Sequence, residues 1–552
     1  MDHKKAINRV WELIGLHRKD IISIYFFAIF SGLVNLTLPI GIQSIVGFVL
    51  GASMVTSIYV LIFLVVLGVF TVGFLQISQM RIIEKIQQNL FVVCAIDFTE
   101  KIPRFDLKKT DKYYLPEKVN RFFDIVNVQK GISKMLLDIP VASIQILFGL
   151  LLLSFYHPIF IALGIFLVLI LGLILKLTSN KGIDSSNLES KYKYAVVAWL
   201  QDMARTLKSF KFTQGSHLNL KRTDNLLLNY LDARTKHFKI LMFQYKTLVF
   251  FKVAITSAML IIGSILLINQ ELNIGEFIAA EIVIIAVIGA VEKLITSLEV
   301  VYDVITGLEK LAIVQESPLE HTGKNIFNDD EQFNFKMNKL SFAYRENNFV
   351  LTDVNLEIPA NKLTVISGKS GSAKTTILKL LSGAFSDFEG ALLLNNLPIQ
   401  NYNLSSLRSQ TGMYLQEFDV FEGTVFENIS LGKCSISNKM ILDKAEELGF
   451  QHFISNFHDG FETQIETGGT KLPQALIKKI LLLRAVVHQP KLLLLEEPWQ
   501  GFMEKEKQKM ILFLSECAKN NTVIIVSNEN DIIEKADVHI SFNNGICNTL
   551  KF

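Results

Sequence analysis

Six apolar runs, at roughly 21–49, 56–79, 134–154, 157–177, 246–268 and 274–300, constrain this chain more than any other feature. Each is near the ~20 residues needed to cross the hydrocarbon core of a bilayer. In that medium the backbone must satisfy its own polar groups, and a helix does so within one segment. The connections at 51–56, 156–158 and 269–273 contain no Lys or Arg. The two long connections, about 80–133 and 178–245, are rich in both, with Arg81, Lys85, Lys118 and Arg121 in the first and Lys193 and Arg205 in the second. The positive-inside rule therefore places both termini and both long connections in the cytoplasm. Burial of all six runs in one soluble core fails on their length and on this charge asymmetry.

At 552 residues the chain is too long for a single core. Half of it is hydrophobic and its mean hydropathy is +0.36, with the excess lying before about residue 315. The expected division is a transmembrane domain over 1–314, a polar linker over 315–332 and a second domain over 333–552. A net charge of +3 does not argue for nucleic acid, and none is expected as a partner. Cys94, Cys434, Cys517 and Cys547 show neither metal spacing nor a disulfide framework and read as reduced, buried thiols. The start of the chain, with Lys4, Lys5, Arg9, Trp11, Leu13 and Leu16, reads as an amphipathic helix on the cytoplasmic membrane surface, and no cleavable signal peptide is expected. Helical periodicity persists in the long connections, so the membrane helices are expected to extend beyond the lipid.

The sixth run carries acids. Glu281 and Glu292 are 11 residues apart, which returns to within ~20° of the same helix face, and Glu299 lies near that line. Ionisable groups at membrane depth face a bundle interior or an aqueous path, which makes Glu281 a candidate pathway residue. Glu292 and Glu299 also fit a cytoplasmic extension in which they pair with bases such as Lys293.

The second domain is organised around Leu363-Thr-Val-Ile-Ser-Gly368-Lys369-Ser370-Gly371-Ser372-Ala373-Lys374-Thr375-Thr376. A β-branched strand runs into a small-residue loop and then into the apolar helical pattern from Ile377. That is a P-loop layout, in which backbone N–H groups cradle phosphates, Lys374 reaches the β/γ-phosphates and the Thr375 hydroxyl serves Mg²⁺. Ala373 stands where a glycine is expected. Tyr344 lies 24 residues before Gly368 and could stack on a base. Gln416 follows the strand Gly412-Met-Tyr-Leu. Pro490-Lys-Leu-Leu-Leu-Leu-Glu496-Glu497-Pro498 reads as a buried parallel strand ending in two carboxylates, one suited to Mg²⁺ through water and the next to polarising an attacking water. Thr522-Val-Ile-Ile-Val-Ser-Asn528 completes the sheet.

Together these motifs, with six spans ahead of them, resemble a half-size ABC transporter of the exporter type. The resemblance covers essentially the whole chain. Leu33-Val-Asn-Leu-Thr-Leu-Pro39 and Leu272-Asn-Ile-Gly275-Glu276-Phe277 are similar to bacterial type I secretion exporters, with no peptidase-like domain ahead of the spans. The implied fold is an all-α six-helix transmembrane domain followed by an α/β P-loop NTPase domain with a mostly parallel sheet. The resemblance implies ATP and Mg²⁺ as cofactors and an ATPase-driven translocase in the cytoplasmic (inner) membrane. It gives Tyr344 the adenine, Gly368 to Thr376 the phosphates, and Thr375, Gln416 and Glu496 the Mg²⁺. Gln416 and Glu497 take the catalytic roles. Segments near 114–122 and 213–224 are implied as coupling helices. The implied partners are a second half-transporter, identical or different, and membrane lipid, with a periplasmic adaptor left open.

The departures from the family pattern are specific. Its signature falls on Leu472-Pro473-Gln474-Ala475-Leu476, where only the first leucine matches. The Walker B aspartate is Glu496, the D-loop aspartate falls on Met503, and the switch histidine falls on Asn528. An exporter moving an unidentified substrate is the leading expectation. The alternative is an ATP-binding but weakly hydrolysing gating half of a heterodimer.

Overall fold

The computed structural model describes residues 5, 8–10, 12, 15, 17–51, 56–110, 114–213, 217–345, 348–543 and 546–551. Side chains at 171, 174, 175, 177 and from 543 onward lie outside the description. The chain divides into two compact units, Met1–Pro103 with Lys112–Ser317, and Arg104–Asp111 with Pro318–Phe552.

The first unit is helical. Its long helices are α1 (Arg18–Asn35), α2 (Thr37–Leu50), α3 (Thr56–Lys101), α4 (Asp124–Tyr156), α5 (Ile159–Arg205), α6 (Leu218–Ile268) and α7 (Ile274–Gln315). Among the described residues, five stretches are long and apolar enough to cross a membrane: Arg18–Leu50, Thr56–Arg104, Leu115–Tyr156, Leu218–Ile268 and Ile274–Gln315. α5 covers the remaining expected run and opens with the shorter apolar stretch Ile159–Ile170. The 46 residues of α3 exceed by about twofold the ~20 that a bilayer demands, so it continues past the lipid. Phe63, Phe70, Phe74, Phe155 and Phe250 are exposed on the helices, a surface suited to lipid rather than water.

α7 begins where it does because Asn273 accepts the Glu276 N–H at 2.8 Å while the Glu276 carboxylate accepts the Asn273 N–H at 2.9 Å. It packs closely on α4, and a Cβ added at Gly131 would lie 2.2 Å from the Val304 side chain. Glu292 on α7 pairs with Lys252 of α6, not with its neighbour Lys293. Glu281 is half-buried, and its Oε2 has no hydrogen-bond partner among the described residues. Of the N-terminal segment, Lys5 and Arg9 are described, and both reach Glu316 past the end of α7, at 2.8 and 2.6 Å; Trp11, Leu13 and Leu16 lie outside the described residues.

The second unit holds two main sheets. The strands are β1 (Phe335–Arg345), β2 (Asn348–Ile358), β3 (Leu363–Gly368), β4 (Glu389–Leu394), β5 (Leu397–Pro398), β6 (Thr411–Tyr414), β7 (Gly423–Thr424), β8 (Gln464–Ile465), β9 (Leu492–Glu496), β10 (Thr522–Val526), β11 (Val538–Asn543) and β12 (Ile546–Lys551). An antiparallel sheet runs β2-β1-β4-β5, and the larger sheet runs β12-β11-β3-β10-β9-β6. Its strands from β11 to β6 are parallel, and only β12 at one edge is antiparallel. Leu492–Leu495 and Thr522–Val526 are buried throughout, which explains their unbroken apolar composition. The register aligns Ile366, Val526 and Glu496 across three neighbouring strands. The loops that leave β3, β9 and β10 therefore emerge side by side at the carboxyl edge, where α/β sheets bind ligands.

Residues 318–332 are packed against this unit: Phe327 stacks on Phe333 at 4.3 Å, and Glu320 pairs with Arg408 at 2.9 Å. The segment Arg104–Asp111 also belongs to it. Its short helix Leu107–Thr110 sets Lys108 2.8 Å from Asp387 and 5.1 Å from the centre of the Phe342 ring. Segment 114–122 belongs to the helical unit. Of 213–224, residues 214–216 lie outside the described residues and Leu218 onward opens α6. The thiols are not uniformly buried: Cys94 is, Cys517 is partly so, and Cys434 is exposed.

Candidate functional site

β3 delivers the chain to Gly368, whose φ is +149°. A side chain there would meet the Phe542 carbonyl at 2.2 Å, so the position requires glycine. The loop turns through Gly371 at φ +81° and closes on Ala373 at φ +66° before α8 (Lys374–Leu381) begins. The left-handed geometry explains why a glycine was expected at 373, and this chain carries the strain of an alanine there. Ala373→Gly is expected to stabilise the α/β unit by about 1 kcal/mol, read as a rise in the midpoint of its thermal transition. A lowered midpoint would show that alanine's restriction of the unfolded chain outweighs the strain.

Lys374 Nζ donates to the carbonyls of Gly368 and Lys369, both at 2.7 Å. Burial lowers its pKa, while Glu497 and Glu496 pull the other way. The Thr375 hydroxyl donates to Glu496 Oε1, and the backbone N–H of Gln416 donates to Glu496 Oε2 at 3.1 Å. Thr375, Gln416 and Glu496, set far apart in sequence, thus converge on one carboxylate. The Thr375 hydroxyl and the Glu496 carboxylate are hard-oxygen donors, while Gln416 meets that carboxylate through its backbone N–H; Mg²⁺ is commonly held by one or two protein carboxylates together with substrate phosphates. The residues fit that ion. The Gln416 side chain itself is engaged elsewhere, donating to Gln500 Oε1 at 2.7 Å.

Glu497 follows β9 in a strained left-handed conformation, φ +42°, with its N–H bonded to the Val526 carbonyl at 2.9 Å. Its Oε2 accepts from the Ser527 hydroxyl at 3.0 Å. Burial raises the carboxyl pKa, and the bonds from Ser527 and the Asn528 backbone offset part of that rise. A carboxylate shifted toward neutrality is better suited to take a proton from water. Asn528 Oδ1 accepts the Gly368 N–H at 2.8 Å, so this side chain touches the P-loop directly. Tyr344 is half-buried, its ring edge-on to Phe342 and Phe385 at 5.0 and 5.6 Å and its hydroxyl 3.1 Å from Thr376 Oγ1.

The degenerate signature is set apart from this cluster. Pro473, Gln474 and Ala475 are exposed, with Pro473 at the N-cap of α9 (Gln474–Val486), and Leu472 and Leu476 are half-buried. Met503 is 75% exposed. Sequence reasoning missed Ser527, Gln500 and Lys478. The last donates to the Gln500 carbonyl at 2.8 Å, linking α9 to the loop after Glu497. The only signal for Ser527 was a hydroxyl residue at the end of an otherwise apolar strand.

The ABC transporter family model matches residues 351–500, spanning the P-loop and both carboxylates, and the ABC transporter transmembrane region matches residues 21–291. The chain belongs to the ABC transporter family. This ABC transporter is 27% identical over 300 residues to the uncharacterized ABC transporter ATP-binding protein YknV of Bacillus subtilis, covering 53% of this chain and 49% of that protein. It is 26% identical over 294 residues to the ATP-dependent lipid A-core flippase of Legionella pneumophila strain Paris, covering 53% and 50%. The chain thus spans about half the length of the curated relatives it matches. A bacterial Atm1-family ABC exporter with ATP bound superposes with a TM-score of 0.83, at 16% identity, over 96% of this chain and 94% of the other. The ABC transporter therefore has the half-size exporter fold: apolar membrane helices, then an ATP-binding domain built on a mostly parallel sheet. It is a multi-pass membrane protein.

Proposed function

We propose that this ABC transporter is an ATP-driven exporter. It works in the cytoplasmic membrane as a dimer of half-transporters, with both termini and the ATP-binding domain in the cytoplasm. The observation that carries this reading is the placement of Glu497: a half-buried carboxylate of raised pKa, fixed by Ser527 and following directly on the strand that ends in Glu496. In this reading Lys374 leaves its loop carbonyls for the β/γ-phosphates, and Tyr344 holds the adenine. Thr375 and Glu496, with Gln416, would hold Mg²⁺, which when bound would neutralise phosphate charge. Glu497 takes the proton of the attacking water. Glu281, with an unpaired oxygen on α7, is assigned to the solute pathway.

A second reading is favoured by specific residues. Pro473 replaces a signature hydroxyl, Asn528 cannot titrate near neutral pH, and Met503 replaces an acid. With two such sites a homodimer lacks several γ-phosphate contacts, each costing roughly 2–4 kcal/mol of barrier. The chain would then be the weakly hydrolysing, gating half of a heterodimer. Converting Pro473-Gln474-Ala475 to Ser-Gly-Gly together with Asn528→His separates the two. The exporter reading expects the ATPase of the purified chain to rise by about tenfold or more, since both changes return lost contacts. A repaired chain that stays inert with Glu497 intact supports the gating half.

A further inference from the structure

The helical unit contains a charged cavity of about 380 Å³ between α4, α5, α6 and α7. Its lining lies outside the apolar runs except for Lys134 and Val300, each at the edge of one, so it belongs to the polar extension of the bundle. Two of its carboxylates are neutralised internally. Glu189 pairs with Arg234 at 3.1 Å, and Asp124 is held by the Tyr194 hydroxyl at 2.6 Å with Lys193 at 3.7 Å. That leaves Lys130 and Lys134 on α4, which have neither an ion pair nor a hydrogen bond among the described residues. Four residues apart, they share a helix face, where like charges repel unless an anion lies between them. Opposite in charge is Asp303 on α7, whose described polar contact is the Ser186 hydroxyl at 3.5 Å. Ser186 and Thr306, both buried and 2.9 Å apart, add hydroxyl donors and acceptors to the wall.

After the internal pairs are removed, two exposed lysines, one carboxylate and two buried hydroxyls face one space of about 380 Å³. We propose that this cavity binds a small polar solute bearing a phosphate or carboxylate together with an ammonium or hydroxyl group. The anion sits between Lys130 and Lys134 and the donor group lies toward Asp303. This names the solute class that the exporter reading leaves open. It rests on that reading only for the direction of travel, because binding is measured without turnover and the two can fail separately. The same chemistry is offered by a free zwitterion and by a lipid headgroup.

The test uses the full chain in dodecyl maltoside, titrated calorimetrically with phosphoethanolamine, and with inorganic phosphate and ethanolamine as its two halves. Saturable binding is expected, tighter for phosphoethanolamine than for either half. The Lys130→Gln/Lys134→Gln variant should bind at least about tenfold more weakly. Asp303→Asn should weaken phosphoethanolamine while leaving inorganic phosphate bound. The P-loop contributes equally to parent and variants, and an unchanged elution volume and helical thermal transition report that each variant is folded. Competition by phosphatidylethanolamine in mixed micelles supports a headgroup as the source, and its failure to compete supports a soluble one. Absence of saturable phosphoethanolamine binding, or equal affinity in the parent and the folded lysine variant, overturns the proposal.

Discussion

Glu497→Gln is expected to lower ATP hydrolysis by about 10²–10⁴-fold while ATP still binds. The residue is half-buried, its backbone is fixed by the Val526 carbonyl, and Ser527 points its carboxylate. Gln keeps the shape and the Ser527 contact but cannot accept a proton. Glu496 is a poor substitute, because its two oxygens are already taken by Thr375 and the Gln416 backbone. Burial raises the Glu497 pKa, so the base is lost on acidification at a higher pH than an ordinary carboxylate would be. The acid limb of the parent's pH–rate profile should therefore lie above the usual carboxylate range, and any residual rate in Glu497→Gln should lack that limb. An unchanged rate in the variant would remove Glu497 from the chemistry.

Lys374→Ala should weaken ATP binding by about 2–4 kcal/mol, roughly 30- to 1,000-fold, in a fluorescent-nucleotide titration of the solubilised chain. Among the described residues, Lys374 Nζ is tethered to the Gly368 and Lys369 carbonyls and a marginal Ser372 contact, neutral partners that it can exchange for phosphate oxygens. Lys379, the next cation on the same helix, is committed to Glu417 at 2.7 Å and cannot replace it. Unchanged affinity would refute the assignment of the P-loop to phosphate.

Much of this geometry was legible in the chain because it is encoded locally. The unbroken leucines of Leu492–Leu495 and the β-branched Val523–Val526 can only be buried parallel strands, and the glycines of 368–371 state the loop conformation. The apolar runs announced membrane helices for the same reason. What was not legible depends on which neighbours the fold supplies. Ser527 acquires meaning only because β10 lies beside β9, and Gln500 only because Lys478 and Gln416 meet it from two other segments. Arg104–Asp111 is tied to the α/β unit by backbone pairing with Pro318–Glu320 and by Lys108 finding Asp387, contacts with no periodicity to betray them. Glu292 was expected to pair with a base, but Lys252 on an adjacent helix outcompetes the sequence neighbour Lys293, which points away on a helix where successive residues diverge by about 100°. Cys434 is exposed because its short polar surroundings, Gly432-Lys433 and Ser435, offer no core to enter.

The central claim is that this chain hydrolyses ATP with Glu497 as the base. The most direct measurement is phosphate release by the purified full-length protein in lipid nanodiscs, beside Lys374→Ala and Glu497→Gln from identical preparations. The account predicts a parent rate well above both variants, with Lys374→Ala binding ATP more weakly and Glu497→Gln binding it without turnover. A parent rate no higher than that of Glu497→Gln, in protein that binds ATP, would contradict it.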